Sequence, residues 1–226
     1  FLEFQWLSEL RWGDVIFEYY GSTEAGIVSI ATSADALIKP GTVGRPLDGT
    51  IVRIYDDDGK VLPDGESGEI YMNMNDLSDF TYHNKDDKRV EIEREGLVTN
   101  GDVGYLDPDG YLFLNDRKRD MIISGGVNIY PAEIEAALQG MPGVQDCAVF
   151  GIPHDEFGES IAAAIESQPG VSLTPDAVKD YLRDHISAYK VPREVTFHDA
   201  MPREDTGKIF KRKLRQPYWE RAGRQI

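Results

Sequence analysis

Apolar and polar positions change rhythm along this chain. Asp14-Val-Ile-Phe-Glu-Tyr-Tyr20 alternates well enough to predict a strand, which ends in the small-residue segment Gly21-Ser-Thr-Glu-Ala-Gly26. From Gly41 to Phe113 short β-prone runs are broken by turns. Thr50-Ile-Val-Arg-Ile-Tyr55 leads into Asp56-Asp-Asp-Gly59, and Gly68-Glu-Ile-Tyr-Met72 follows Pro63-Asp-Gly65. Tyr111-Leu-Phe-Leu114 follows Asp107-Pro-Asp-Gly110. Residues 76–96 are polar and charged, which predicts an exposed loop. A small twisted β-barrel or sandwich is the economical fold for this section.

The rhythm breaks between Asp116 and Glu135. A dense charge run gives way to Met121-Ile-Ile123, then to the pair Gly125-Gly126, then to Pro131, which suits a first helical position. Acidic Glu133 and Glu135 follow in the opening turns, where the helix dipole favours them. The stretch is either a boundary between two compact units or an ordinary strand–turn–helix joint. Beyond it, a helix over 131–138 precedes strands over 144–152 and 159–165. A second helix opens at Thr174-Pro175-Asp176 and runs to about 186, a third strand covers 193–197, and a last helix starts after Gly207-Lys208. The expected fold is α+β: a β-rich, barrel-like section over 1–116 and a compact α+β domain over 117–226 with its own core.

Composition narrows the function. A formal charge of −16 argues against a general nucleic-acid binder, since phosphate backbones need basic faces. The sign reverses at the end: Lys208, Lys211, Arg212, Lys213, Arg215, Arg221 and Arg224 stand against one acid, Glu220. That tail reads as a solvated helix face or as a landing site for an anionic small molecule. The single Cys147 excludes an internal disulfide and a multi-cysteine zinc site, and points to the cytoplasm. His83, His154, His185 and His198 are dispersed without metal-ligand spacing. The acids of the turns serve turn geometry and do not match a calcium loop. No apolar run reaches membrane-spanning length, and no signal-peptide pattern is present. The segment after Tyr20 could let amides and hydroxyls approach a ligand beside a carboxylate, or could be a polar turn.

Several motifs then agree in kind and order: Tyr20-Gly-Ser-Thr-Glu24, Asn100-Gly-Asp102 with Gly104-Tyr-Leu-Asp107, Asp116-Arg117 with Asp120, Gly125-Gly-Val-Asn-Ile-Tyr-Pro131, and Thr206-Gly-Lys208. Together they resemble the adenylate-forming acyl-CoA synthetases, over nearly all of the chain from Trp12 to Leu214. The linker around Ile122–Pro131 is most similar to that of fatty-acid, aromatic-acid and bile-acid CoA ligases. The resemblance implies activation of a carboxylic acid, with ATP and Mg²⁺, to an acyl-adenylate, followed by thioester formation with coenzyme A and release of AMP.

It also implies roles. Tyr20 would lie against adenine beside Gly21, Thr23 would meet the α-phosphate, and Glu24 would hold Mg²⁺. Asp102 would accept both ribose hydroxyls, and Arg117 would add a charge-assisted bond. Lys208 would enter for adenylation and offset the repulsion between substrate carboxylate and α-phosphate. Rotation at the hinge position, Arg119, would withdraw it and bring up Gly125 and Gly126, with Tyr130 nearby, to pass the pantetheine arm. Asn100 and Arg119 depart from the family's usual choices.

The family's lysine-bearing Ser/Thr/Gly phosphate loop and most of its acyl pocket are not found in this sequence. The chain is therefore expected to be the C-terminal part of a larger synthetase, inactive alone, with the remaining portion absent, cleaved or on a separate polypeptide. Two alternatives stay open: loading of a carrier protein, and nucleotide binding without turnover.

Overall fold

The small residues after Tyr20 close a hairpin. In the computed structural model, which describes residues 15–74, 80–205 and 207–223, β1 (Phe17–Ser22) pairs antiparallel with β2 (Gly26–Thr32). Asp14, residues 76–79 of the expected loop and Thr206 lie outside the described residues, and the side chain of Met74 and that of Asp86 are not described. The chain divides into two units, Phe1–Lys118 and Arg119–Ile226. The division falls two residues beyond the boundary expected after residue 116.

In the first unit β2 runs directly into α1 (Ser33–Ile38), which has a full capping box: Thr32 Oγ1 accepts from Asp35 N, and Asp35 accepts from Thr32 N. β3 (Arg45–Pro46) completes a three-stranded sheet on the far edge of β2. A second sheet holds β4 (Thr50–Tyr55), β5 (Gly68–Met74), β6 (Glu93–Arg94), β7 (Leu97–Leu106) and β8 (Leu112–Arg117). β7 is long enough to give one edge to two partners, with β6 on its first residues and β8 on its last.

Neither β6 nor β8 reaches β4, so the sheet stays open and the expected barrel does not close. The outer edge of β8 is occupied instead by residues 42–44, which lead into β3. Val43 N donates to Leu112 O at 2.9 Å and Leu112 N to Gly44 O at 2.8 Å. Those bonds stitch the two sheets around one core of Tyr20, Val28, Val43, Ile54, Ile70, Met72, Val98 and Leu112.

The stretch expected as an exposed loop also differs. Its described part contains α2 (Asp86–Glu91) and β6, and Phe80 packs against the core beneath the Arg89 guanidinium. Two aromatics, Phe80 and Tyr82, draw an otherwise polar segment onto the unit.

The second unit is built on β9 (Ile122–Ser124), β10 (Val127–Ile129), β11 (Val144–His154), β12 (Gly158–Ser167) and β13 (Glu194–His198), in the order β10-β9-β12-β11 with β13 parallel to β12. β11 and β12 read as near-continuous apolar runs because both of their faces are covered. On one face lie α3 (Pro131–Gln139) and α4 (Pro175–His185), through Ile134, Leu138, Val178 and Leu182 against Val149, Ala163 and Ile165. On the other lies α5 (Lys211–Arg221), through Leu214 and Tyr218 against Ala148, Phe150, Ala162 and Ala164. α4 starts where the sequence puts it, since Thr174 Oγ1 caps Ala177 N and Pro175 occupies the first turn.

A Cβ at Gly21 would sit 2.1 Å from Gly26 O and 2.9 Å from Ile27 Cα across the hairpin. Gly21→Ala is therefore expected to destabilise the first unit by about 1–3 kcal/mol, the usual cost of overpacking. A fall in the urea midpoint would register it; an unchanged midpoint would contradict the hairpin geometry.

Candidate active site

β7 and β8 place Asp102 and Arg117 opposite one another in register. Gly101, at φ +76°, turns the strand just before Asp102, and its carbonyl accepts from Lys118 N at 2.7 Å. The Asp102 carboxylate faces two groups from other strands. The Tyr20 hydroxyl of β1 donates to Oδ2 at 2.8 Å, and Arg117 Nε stands 3.5 Å from Oδ1. Burial, and then the Asp102 charge and its hydrogen bond, push the Tyr20 phenol far above its ordinary range. The phenol thus remains a proton donor at any working pH.

Tyr20 is only 7% exposed and belongs to the core. That its hydroxyl fixes Asp102 is visible only in the fold, since the two residues are 82 apart in sequence. Each carboxylate oxygen has two lone pairs, so Asp102 keeps acceptor capacity beyond Tyr20 and Arg117.

The turn after β1 holds the second constellation. Thr23 donates to Glu24 Oε2 at 2.7 Å, and Tyr82 donates to Oε1 at 2.8 Å. Burial pushes the Glu24 carboxyl up, but hydrogen bonds from Thr23, Tyr82, its own amide and Ser22 outweigh it and hold the group below its ordinary value. Glu24 is thus an oriented, ionised carboxylate. Among the described residues no cluster of three or more His, Cys, Asp or Glu could cage a metal. Mg²⁺ needs no such cage, since one or two carboxylates with phosphate and water oxygens suffice, and Glu24 fits that mode. Sequence reasoning missed Tyr82; the pair Phe80 and Tyr82 in a polar stretch was the available signal.

In the second unit, Gly125 and Gly126 are the two loop residues of the β9–β10 hairpin, with φ +59° and +82°. Positive φ at both defines a type I′ turn, which explains the pair conformationally. A Cβ at Gly125 would touch Phe157 Cδ1 at 3.4 Å, and at Gly126 it would meet nothing. Tyr130 precedes α3 as its N-cap residue.

Gly125 also borders a cavity of about 670 Å³, with Phe157, Tyr189, Lys179, Arg183 and Arg193 among its lining. Three cations and no carboxylate line it, in a chain of net charge −16. The Arg193 guanidinium lies over the Phe157 ring at 4.9 Å, and Nη1 is 3.0 Å from His154 Nε2.

Arg119 is 73% exposed and 3.9 Å from Asp120, at the first position of the second unit. Lys208 is exposed, and its ammonium makes no hydrogen bond or ion pair among the described residues. The structure thus brings Tyr20, Asp102 and Arg117 together and pairs Thr23 with Glu24. Gly125, Gly126, Tyr130 and Lys208 stand on the other unit. No helix among the described residues is long and apolar enough to cross a membrane.

Known proteins resemble this chain in sequence and fold. The family model for "AMP-binding enzyme" matches residues 4–78, and that for "AMP-binding enzyme C-terminal domain" matches residues 133–208. A fatty acid–[acyl-carrier-protein] ligase of Streptomyces coeruleorubidus is 34% identical over 92% of this chain and 41% of its own length. A long-chain-fatty-acid–CoA ligase of Mycobacterium tuberculosis is 39% identical over 90% of this chain and 40% of its own. Among solved structures, ATP-bound MatB of Rhodopseudomonas palustris superposes with a TM-score of 0.81 at 33% identity, covering 90% of this chain and 40% of that one. The chain spans about two fifths of the length of the curated relatives it matches. With both family regions in order on the fold just described, the chain belongs to the adenylate-forming AMP-binding enzymes.

Proposed function

We propose that this chain serves an acid–CoA ligase, which activates a carboxylic acid, fatty or otherwise lipophilic, with ATP and passes the acyl group to coenzyme A. The observation that carries the reading is the Asp102 carboxylate of β7, held between Arg117 on the paired strand β8 and the Tyr20 hydroxyl from the hairpin sheet. In this reading Asp102 accepts the ribose hydroxyls and Arg117 adds a charge-assisted donor to ribose or phosphate. Tyr20 holds Asp102 in place and offers adenine its ring edge or face. Thr23 meets the α-phosphate, and Glu24 would hold Mg²⁺, whose chemistry is to neutralise phosphate charge.

The Lys208 ammonium meets the acid's carboxylate and the α-phosphate. It lowers the repulsion that opposes attack of the carboxylate oxygen on phosphorus with pyrophosphate leaving. Reorientation about Arg119 then exchanges Lys208 for the Gly125–Gly126 turn. The thiol of coenzyme A attacks the acyl carbon, and AMP leaves. Without a phosphate loop of the family's kind in this sequence, the chain alone is expected to bind nucleotide weakly and not to turn over.

Coenzyme A is favoured as acceptor by the cavity beside Gly125. Its lining cations, Lys179 and Arg193 beside an Arg183 paired with Asp180, suit the phosphates of a free nucleotide thiol better than a lone phosphopantetheine arm. A second reading, loading of a carrier protein, draws on the carrier-protein ligase among the relatives.

The two readings separate experimentally in the enzyme that carries this chain. Arg193→Met is expected to raise KM for coenzyme A roughly tenfold or more, the loss of one charge-assisted contact, while adenylate formation stays within about twofold. An unchanged KM, or acyl transfer only to a carrier protein, would defeat the coenzyme A assignment. Lys208→Ala is expected to lower acid-dependent pyrophosphate exchange by about 10²-fold or more, while thioester formation from supplied acyl-adenylate is retained. Equal loss in both steps would remove its role.

A further inference from the structure

Among the described residues the Lys208 ammonium makes no hydrogen bond or ion pair, so its position is inherited from the backbone beneath it. That backbone is a narrow excursion between β13 and α5. At its base Met201 N donates to the buried Glu166 carboxylate at 2.9 Å, and Phe210 N donates to Pro202 O at 2.7 Å. Arg203 and Ile209 form an antiparallel bridge, and Glu204 N reaches Lys208 O at 2.8 Å. These bonds lie within the excursion or at its root.

Further out, a side-chain link ties it to the sheet of its own unit. Arg203 Nη1 donates to Gly207 O at 3.0 Å, and Nη2 donates to Asp146 Oδ2 at 2.5 Å. Asp146 is itself fixed on β11, where the register with β12 shifts, and its Oδ1 accepts from Cys147 N at 2.9 Å.

We infer that Arg203 is a positioning residue for Lys208, clamping the carbonyl of Gly207 to strand β11 through Asp146. The inference rests on the reading that Lys208 acts in acid activation. The Arg203 and Asp146 side chains are 42% and 25% exposed, and a pair so placed adds little to stability. Its geometry matters more. A guanidinium has donors in a rigid fork and can hold a carbonyl and a carboxylate at once, whereas an ammonium on a flexible stem holds such a pair poorly. The clamped carbonyl belongs to the residue before Lys208, and Gly207 stands at φ +85°, so a shift of this peptide swings the ammonium directly.

The test uses the enzyme that carries this chain and its two partial reactions, with Lys208→Ala as reference. Arg203→Met is expected to lower acid-dependent pyrophosphate exchange tenfold to roughly a hundredfold, as misplacement of a reacting group by about 1 Å does. Thioester formation from supplied acyl-adenylate should stay within about twofold, Arg203→Lys should recover only part of the loss, and Asp146→Asn should fall between. Amide hydrogen exchange at Gly207 and Lys208 should quicken in Arg203→Met while exchange in β11 and β12 is unchanged. Normal pyrophosphate exchange in Arg203→Met, with Lys208→Ala impaired, would overturn the inference alone. Equal loss in both partial reactions would mark Arg203 as merely structural and also overturn it. Intact exchange in Lys208→Ala would instead sink the reading of Lys208, and the inference with it.

Discussion

The Asp102 carboxylate sits where three strands from different parts of the first unit meet, and the candidate site is organised around it. Tyr20 approaches from the hairpin sheet, Arg117 from β8, and Asp102 itself from β7. Its bond to the buried Tyr20 hydroxyl is charge-assisted, a class worth about 1.5–3 kcal/mol. Arg117 is half-exposed at 3.5 Å and contributes about 0–1 kcal/mol, so its value lies in direction more than in stability. Because burial beside a carboxylate keeps the phenol protonated, the polarity of the Tyr20–Asp102 bond is fixed. A carboxylate held in this way presents its remaining lone pairs in one orientation, as recognition of a vicinal diol requires.

The second unit solves a different problem. Its central strands are buried on both faces, so the sheet interior has no room for chemistry, and the polar groups collect in the connections. The β9–β10 turn carries the glycine pair beside the cationic cavity, and the excursion before α5 carries Lys208. Both connections leave a rigid sheet through short, hydrogen-bonded roots. Lys208, Gly125 and Gly126 are thus placed by the packing of the sheet beneath them, which suits the proposal that this unit presents two different loops to two steps.

Much of this was legible in the residues. The alternation of Thr50-Ile-Val-Arg-Ile-Tyr55 gave β4 to the residue, and Thr174-Pro175 marked the start of α4 by its cap. Motif order, more than any one motif, carried the family. What escaped was tertiary. The strand expected to end at Tyr20 is half of a hairpin, and the short helix α1 was overlooked although Thr32 and Asp35 have capping-box spacing. The barrel did not close because β7 shares one edge between β6 and β8 while residues 42–44 cover the outside of β8, a choice no local pattern encodes. Tyr82 was hidden in a stretch whose charge signalled solvent, and its contact with Glu24 joins residues 58 apart in sequence. The segment after Tyr20 reads equally as room for a ligand or as a polar turn, and only the fold shows that Gly26 O lies 2.1 Å from where a Gly21 Cβ would be.

In the proposed reading the first unit presents a nucleotide surface built around Asp102. A ¹H–¹⁵N NMR titration of this 226-residue chain with AMP probes that surface. Weak, saturable shifts are expected at the amides of Tyr20, Gly21, Asp102 and Arg117, with their loss in Asp102→Ala. Shifts absent from those amides at saturating AMP, or retained in full by Asp102→Ala, would contradict it.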